Sequence, residues 1–243
     1  MTLYLDHTNC QTDFNLATEE YLFNTCTSNL CMIWQNEPSV IVGKHQSVEA
    51  EVNLAYTERH QIPVYRRQSG GGSVYHDMGN LNITFIEHQH HINFTNYAVR
   101  LQKALKKMAI QTWIDPRNGL YINDLKISGS AQFVRNNKVL FHATLLYSSN
   151  LKHLTESLNS LYDTSQPSSN HRVRIASVKS PVTNIRQYLM ESKPMEVFKK
   201  QFAGFLLEEE PVLTPHRLSD RDLAAIESLR KNKYATNNWN FRF

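Results

Sequence analysis

Between Arg66 and Asn82 the chain reads Arg66-Arg67-Gln68-Ser69-Gly70-Gly71-Gly72-Ser73-Val74-Tyr75-His76-Asp77-Met78-Gly79-Asn80-Leu81-Asn82, and four of its eight glycines lie there. Consecutive glycines let a backbone take conformations closed to other residues and bring its amide groups close to an anion. The two guanidinium groups just before them offer fixed forks of donors for carboxylate or phosphate. Ser73 to His76 then has the β-branched and aromatic content of a strand. The run reads as an anion-binding loop that enters a sheet. It has neither the Gly-Lys-Ser/Thr ending of a P-loop nor the Gly-x-Gly-x-x-Gly spacing of a dinucleotide fold.

A second stretch with chemical content is Asp124-Leu125-Lys126-Ile127-Ser128-Gly129-Ser130-Ala131. In a strand Lys126 points to the opposite face from Leu125 and Ile127, and the Ser-Gly-Ser after it gives close backbone approach and two hydroxyls. Other candidates carry less. His88, His90 and His91 cluster within 87–93 without the Cys or carboxylate pattern of a metal site, and read as a polar loop. Cys10, Cys26 and Cys31 are odd in number, lack paired ligand spacing, and read as buried or incidental thiols. His142, within Leu140-Phe141-His142-Ala143-Thr144-Leu145, reads equally as a core histidine or a pocket residue, and Val74 and Tyr75 equally as core strand or pocket wall.

The elements that would position these residues follow from periodicity and breakers. Asp13 can cap a helix to about Asn24 with Phe14, Ala17, Tyr21 and Leu22 on the face toward a sheet. Strands are expected over 30–34 and 39–42, parted by Asn36-Glu37-Pro38. A short helix over 53–60 follows, after which 62–66 delivers the chain into the glycine loop. Residues 81–85 alternate apolar and polar, which predicts a strand with one buried face. Phe94, Tyr97, Leu101, Leu105 and Met108 keep the spacing of a surface amphipathic helix. Strands are expected over 120–122, 125–127, 131–135 and 138–147, then a helix over 151–158. Residues 163–170 are polar, aperiodic and rich in turn formers, and read as a mobile surface loop. Helices are expected over 182–189, over 195–207 and from Ser219 and Asp222 through Leu229. Irregular alternation of short strands and helices predicts an α+β fold, with mixed or antiparallel sheets flanked by helices, and not a doubly wound one.

Composition bounds the partners. At 243 residues the chain can bury a substantial core, and nothing in it marks a boundary, so residues 1–243 read as a single domain. Charged residues at 20% and hydrophobic ones at 41% are globular proportions. The +4 formal charge is mild, and with no dense Lys/Arg run and no aromatics interleaved with basic residues it permits nucleic-acid binding without requiring it, a protein partner with an acidic surface fitting equally well. The start, Met1 to His7, has no basic region followed by an apolar block, and no window approaches the roughly 18 apolar residues of a membrane span. The expectation is a cytoplasmic protein without a membrane segment.

The full pattern Arg-Arg-x-Ser-Gly-Gly-Gly-x-Val-Tyr-His-Asp-x-Gly-Asn closely resembles the signature loop of the lipoate-protein ligase A family, whose catalytic domain is related to biotin ligase. The segment 124–131 resembles that family's lysine motif. The likeness runs from Phe14-Asn15-Leu16-Ala17-x-Glu19-Glu20 to Tyr234-Ala235-Thr236-Asn237-Asn238-Trp239-Asn240-Phe241, essentially the whole chain. It implies the biotin/lipoate protein ligase catalytic-domain fold and a two-step reaction, in which ATP and lipoate give lipoyl-adenylate and the lipoyl group passes to a lysine of an acceptor lipoyl domain. Acceptors of this kind are 2-oxoacid dehydrogenase E2 subunits and the glycine cleavage H protein. By the same resemblance Lys126 is the catalytic lysine, touching both lipoate carboxylate and ATP phosphate. Arg67, Gly72, Ser73, Val74 and Tyr75 match ATP-binding positions, with Mg2+ accompanying the nucleotide and its protein ligands unassigned. Trp34, His76 and His142 match positions around lipoate, and Asn80 falls in the same pocket motifs.

Three departures qualify the likeness. Arg117-Asn118-Gly119 stands where the family commonly reads Arg-Asn-Asp, removing a carboxylate expected near ATP and magnesium. His142-Ala143 replaces the usual His-Gly. The sequence stops at Phe243 where two-domain members continue into a small accessory domain, which a separate partner protein could supply, which could lie outside this sequence, or which this version could do without. Activation of free lipoate is therefore expected to be slow or partner-dependent, and transfer from preformed lipoyl-adenylate efficient. No cysteine follows Cys31, so an acyl-cysteine intermediate of the kind used by related transferases is not expected. The competing readings are an octanoyl- or lipoyltransferase of the same fold that performs only acyl transfer, and a non-catalytic module that binds lipoyl domains.

Overall fold

The computed structural model describes residues 2–88, 93–159, 176–208, 210 and 212–242. In chain order the elements are β1 (Thr2–Asp6), α1 (Thr12–Thr25), β2 (Asn29–Trp34), β3 (Ser39–Val42), α2 (Val48–Glu51), α3 (Leu54–Arg59), β4 (Val64–Arg66), β5 (Val74–His76), β6 (Asn80–His88) and α4 (Thr95–Lys107). They continue with β7 (Trp113–Ile114), β8 (Leu120–Ile122), β9 (Leu125–Ser128), β10 (Ser130–Arg135), β11 (Lys138–Leu146), α5 (Leu151–Ser157), α6 (Met195–Leu207), β12 (Leu213–Pro215), α7 (Asp220–Leu229) and α8 (Asn237–Asn240).

One six-stranded sheet runs β10-β11-β6-β2-β1-β12, and two three-stranded sheets run β4-β3-β5 and β7-β8-β9. The large sheet is mixed, as the α+β reading expects: β1 pairs parallel with β2 and β12, whereas β6 lies antiparallel between β2 and β11. Its two faces are covered differently. Cys31, Ile33, Leu81, Ile83, Phe85 and Phe141 pack with the apolar stripes of α4 and α6. Met32, Trp34, Ile86 and Leu140 pack with Phe14, Leu16, Ala17 and Phe23 of α1. This double covering corrects the expectation for 81–85, because eight of the nine residues of β6 are buried and its polar side chains Asn82 and Thr84 face the α1 side and not water.

Other boundaries move for local reasons. Helix α1 begins at Thr12, so Asp13 lies within its first turn, where a carboxylate suits the positive end of the helix dipole, and it pairs with Arg230 at 2.9 Å. Helix α7 starts as expected, on a reciprocal capping box between Ser219 and Asp222. The helix expected over 182–189 shrinks to one 3-10 turn, Ile185–Tyr188. Ahead of it the chain is extended: Lys126 N–H donates to the Pro181 carbonyl at 2.8 Å and Thr183 N–H to the Lys126 carbonyl at 3.0 Å, so residues 181–183 add to β9 as a short parallel partner. The loop read at 163–170, and His90 and His91, lie outside the described residues; His88 is exposed at the end of β6.

The C-terminal segment closes on the start of the glycine loop. Arg66 is fully buried, and its guanidinium donates to the carbonyls of Gly43 at 2.8 Å, Gln46 at 2.7 Å, Asn240 at 3.2 Å and Arg242 at 3.1 Å. Trp239 Nε1 returns a bond to the Arg66 carbonyl at 2.7 Å. Removing those donors leaves buried carbonyls unsatisfied, which is expensive. Arg66→Met should therefore lower the unfolding free energy by about 3 kcal/mol or more. Urea denaturation followed by far-UV circular dichroism checks this, and an unchanged midpoint would contradict it.

Candidate functional site

The glycine loop between β4 and β5 is shaped from inside. Gly71 has φ +86°, a region that side-chain-bearing residues avoid, and Gly43 lies so close that a Cβ there would stand 2.1 Å from the Gly71 carbonyl oxygen. Arg67, 4% exposed, turns its guanidinium into the loop and donates to the carbonyls of Gly70 at 2.5 Å, Gly72 at 2.7 Å and Ile41 at 3.2 Å, and to Ser69 Oγ at 2.9 Å. Both arginines thus hold backbone, where the sequence suggested open forks for an anion. Among the described residues the amides of Gly70, Gly71 and Gly72 have no acceptor. Such a run of free N–H groups is an anion-binding arrangement.

From Ser69 a buried relay crosses the large sheet. Ser69 Oγ lies 2.8 Å from His142 Nε2, and His142 Nδ1 lies 3.0 Å from Glu19 Oε1. Thr84 Oγ1 donates to Glu19 at 2.5 Å and accepts from Trp34 Nε1 at 2.9 Å. Beside a carboxylate, Nδ1 carries the proton, so in neutral His142 Nε2 accepts from Ser69. A second relay runs His7, Asn15, Asn36, His76, with Asn36 Nδ2 2.9 Å from His76 Nδ1. Burial, with the charges of His142 and Arg67 added, pulls His76 down to about 3. It is neutral with its proton on Nε2, and among the described residues that atom is buried without a hydrogen-bond partner, as are Asn80 Oδ1 and Asn82 Nδ2 at the start of β6. Buried polar atoms of this kind are satisfied by water or ligand.

The open space lies beside these relays. A cavity of about 500 Å³ is bounded by all three sheets, with Ser73, Val74 and Tyr75 on one wall, Lys126, Ser128 and Gly129 on another, and Thr144 and Leu146 of β11 between. Leu151, Leu154 and Leu158 supply apolar surface, and residues 177–182 close it. The structure brings Lys126, Ser73, Val74 and Tyr75 together there. Arg67, Gly72, Trp34, His76 and His142 do not line it: Gly72 belongs to the glycine loop, Arg67 is turned into that loop, and Trp34, His76 and His142 lie on β2, β5 and β11.

Sequence reasoning passed over Glu51, Ser177, Lys179 and Ser180, which the cavity also includes. Ser177 Oγ accepts the Ser73 amide at 2.8 Å and the Gln46 amide at 3.1 Å, and the Ser177 N–H donates to Glu51 at 3.1 Å. The signal available was Pro181 with β-branched Val182 and Thr183, which argues against a helix from 182 and for an extended wall. The Lys126 ammonium has no hydrogen bond among the described residues and sits 5.9 Å from the centre of the Tyr121 ring. Burial holds its pKa below the ordinary lysine value, opposed by the charge of Asp115. A cation held in a half-buried cavity is suited to an anionic reactant. Among the described residues no group of three or more His, Cys, Asp or Glu side chains is arranged to hold a metal ion, and no helix is long and apolar enough to cross a membrane.

Comparison with known proteins gives one consistent answer. Residues 11–206 match the model of the lipoyl protein ligase A/B catalytic domain. The lipoate-protein ligase LplJ of Bacillus subtilis is 31% identical over 251 residues, covering 98% of this chain and 73% of the relative. Two solved structures share the fold. A putative lipoate protein ligase from T. acidophilum with bound lipoic acid superposes with a TM-score of 0.83 at 20% identity, covering 100% of this chain and 99% of the other. A lipoate-protein ligase A bound with ATP gives 0.81 at 22% identity, covering 99% and 98%.

The relay from Trp34 to the glycine loop makes a measurable claim. Glu19→Ala strands the Thr84 hydroxyl and the His142 N–H, and should destabilise the protein by about 2 kcal/mol. Glu19→Gln keeps an acceptor for both donors and should be milder. Equal losses for the two variants in thermal and urea unfolding would show that the relay does not hold the loop.

Proposed function

The chain belongs to the lipoyl protein ligase A/B catalytic-domain family, and on that footing we propose that it attaches lipoate to a lysine of acceptor lipoyl domains in two steps, the first of which consumes ATP. A carboxylate oxygen of lipoate attacks the α-phosphorus of ATP, the bond to the β-phosphate bridging oxygen breaks, and pyrophosphate leaves. The acceptor lysine amine then attacks the acyl carbon of the mixed anhydride, loses a proton, and expels AMP with the former carboxylate oxygen. The observation that carries the reading is Lys126, a half-buried ammonium without a hydrogen-bond partner among the described residues, in a cavity of about 500 Å³ walled by Ser73, Val74 and Tyr75. That volume suits a small-molecule pocket.

In this reading Lys126 neutralises the carboxylate and the α-phosphate and stabilises the oxygen that gains charge in the transition state. The open amides of Gly70 to Gly72, with Ser73, receive phosphate, and Arg67 acts by keeping the loop in shape. Val74, Tyr75 and the leucines of α5 flank the bound molecules, and each lipoate methylene buried would contribute roughly 0.8 kcal/mol. Trp34 and His142 act through the relay to Ser69, and His76 Nε2 offers a buried donor toward the same interior. Magnesium enters with the nucleotide. The ion would be held mostly by phosphate oxygens and water, which suits a cavity on whose wall Glu51 is the carboxylate among the described residues.

We read residues 1–243 as one catalytic domain, because the cavity is shared by the three sheets. Acceptors of the E2 lipoyl domain and glycine cleavage H protein kind, and a cytoplasmic setting with ATP at hand, complete the proposal. A thiol route is disfavoured: none of the three cysteines lines the cavity, and burial pushes the fully enclosed Cys31 up to about 12.

The test is lipoate-dependent exchange of labelled pyrophosphate into ATP. Wild-type protein should catalyse it, and folded Lys126→Ala should lose a few hundredfold or more, roughly 3–4 kcal/mol of transition-state stabilisation. Exchange at the wild-type rate by Lys126→Ala would remove the proposed role. Absence of exchange, with acyl transfer intact, would make the protein a transferase.

A further inference from the structure

Asp115 is a buried carboxylate that neither motif contains, set in the turn between β7 and β8. Its side chain is 7% exposed, and every approach to it is a donor. Oδ1 accepts the amides of Gly119 at 2.7 Å and Arg117 at 2.9 Å. Oδ2 accepts the Tyr121 hydroxyl at 3.2 Å and lies 3.4 Å from the Arg117 guanidinium. The same Tyr121 hydroxyl stands 3.4 Å from Ser180 Oγ on the segment that closes the cavity, and its ring, stacked on Trp113 at 4.5 Å, faces the Lys126 ammonium. Gly119 completes the arrangement: a Cβ there would stand 3.1 Å from Lys126 Cε and 3.2 Å from Asp115 Oδ1. A carboxylate at position 119 would therefore compete with Asp115 for one place beside the lysine.

We propose that Asp115 is the positioning residue for Lys126: anchored by the turn amides, its carboxylate and the Tyr121 ring that it orients fix where the ammonium stands in the cavity. The proposal deepens the ligase reading and rests on it for the identity of the reaction. Asp115 touches no reactant; it acts through Lys126 and Tyr121. The charges around Lys126 are Asp115 and Arg117 from the turn, with Glu51 and Lys179 also on the cavity wall. Asp115 is the anion among them that favours the ammonium form, and Arg117 opposes it. Burial pushes the Asp115 carboxyl upward, yet the two turn amides, Lys126 and Tyr121 together hold it below the usual carboxylate value, so it is ionised at neutral pH.

The experiment reads Lys126 directly and then through turnover. Competitive acetylation of the intact protein at graded pH, quantified on the Lys126 peptide by mass spectrometry, gives the midpoint of its deprotonation without any substrate. In Asp115→Asn, which can accept the same two turn amides, that midpoint should fall, the alkaline limb of pyrophosphate exchange should fall with it, and exchange should drop roughly tenfold or more. Asp115→Asn with Gly119→Asp returns a carboxylate to the same place and should restore both readings. Arg117→Gln, at a side chain half exposed and outside the core, should move the midpoint the other way, which keeps the claim testable if Asp115→Asn folds poorly. An unchanged Lys126 midpoint in folded Asp115→Asn, or in Arg117→Gln, would overturn the proposal. So would a double variant no better than Asp115→Asn. Wild-type protein that lacks exchange but shows the same labelling shifts would uphold the role of Asp115 and remove the ligase reading instead.

Discussion

A loop of glycines has no side chains with which to hold its own shape, and here that shape is supplied by the Arg67 guanidinium. Its donors take up the carbonyls of Gly70 and Gly72 and the hydroxyl of Ser69, while among the described residues the amides of residues 70–72 have no acceptor. Everything else in the site is arranged to keep that guanidinium in place. Strand β3 provides the Ile41 carbonyl beneath it, and the relay through His142, Glu19 and Thr84 ties Ser69 to the centre of the large sheet. Arg66 performs the corresponding task one residue earlier, joining the loop's entry to residues 43–46 and to the C-terminal segment.

The electrostatic consequence is a division of labour between the cations. Arg66 and Arg67 are buried in carbonyl oxygens and add positive potential without being available to a ligand, whereas Lys126 stands in the cavity with its ammonium free for one. Fixed, water-excluded donors of this kind lower the barrier for a reaction in which charge develops on phosphorus oxygens, since they need not reorganise as it proceeds. Tyr121, Asp115 and Ser180 link that lysine to residues 177–183, so the strand that carries Lys126 and the segment that closes the cavity are held as one wall.

Much of this was legible in the sequence where local pattern and tertiary demand agree. Met195–Leu207 forms the helix its spacing predicts, and the β-strands around Lys126 fall where the turn residues place them. The glycine loop and Lys126 could be paired as one site from the resemblance of both motifs to one family. Apart from the helix expected over 182–189, what failed were inferences from polarity alone. Asn82 and Thr84 made β6 look half exposed, but both are buried, Thr84 in the relay to Glu19 and Asn82 against Asn80, which residue type cannot disclose. A guanidinium likewise does not announce whether its acceptors are phosphate or backbone, so Arg66 and Arg67 read as ligand forks. Glu51, Ser177 and Asp115 were invisible because each acts through partners that folding brings from other elements.

In the two-step reaction lipoate is activated at its carboxylate by the α-phosphorus before transfer. Lipoate carrying heavy oxygen in its carboxylate, incubated with ATP and an acceptor lipoyl domain, tests it most directly by mass spectrometry of the products. The mechanism predicts AMP bearing one labelled oxygen for each lipoyl group joined to the acceptor, with unlabelled pyrophosphate. Label in inorganic phosphate, or acceptor lipoylation with unlabelled AMP or none, would contradict it.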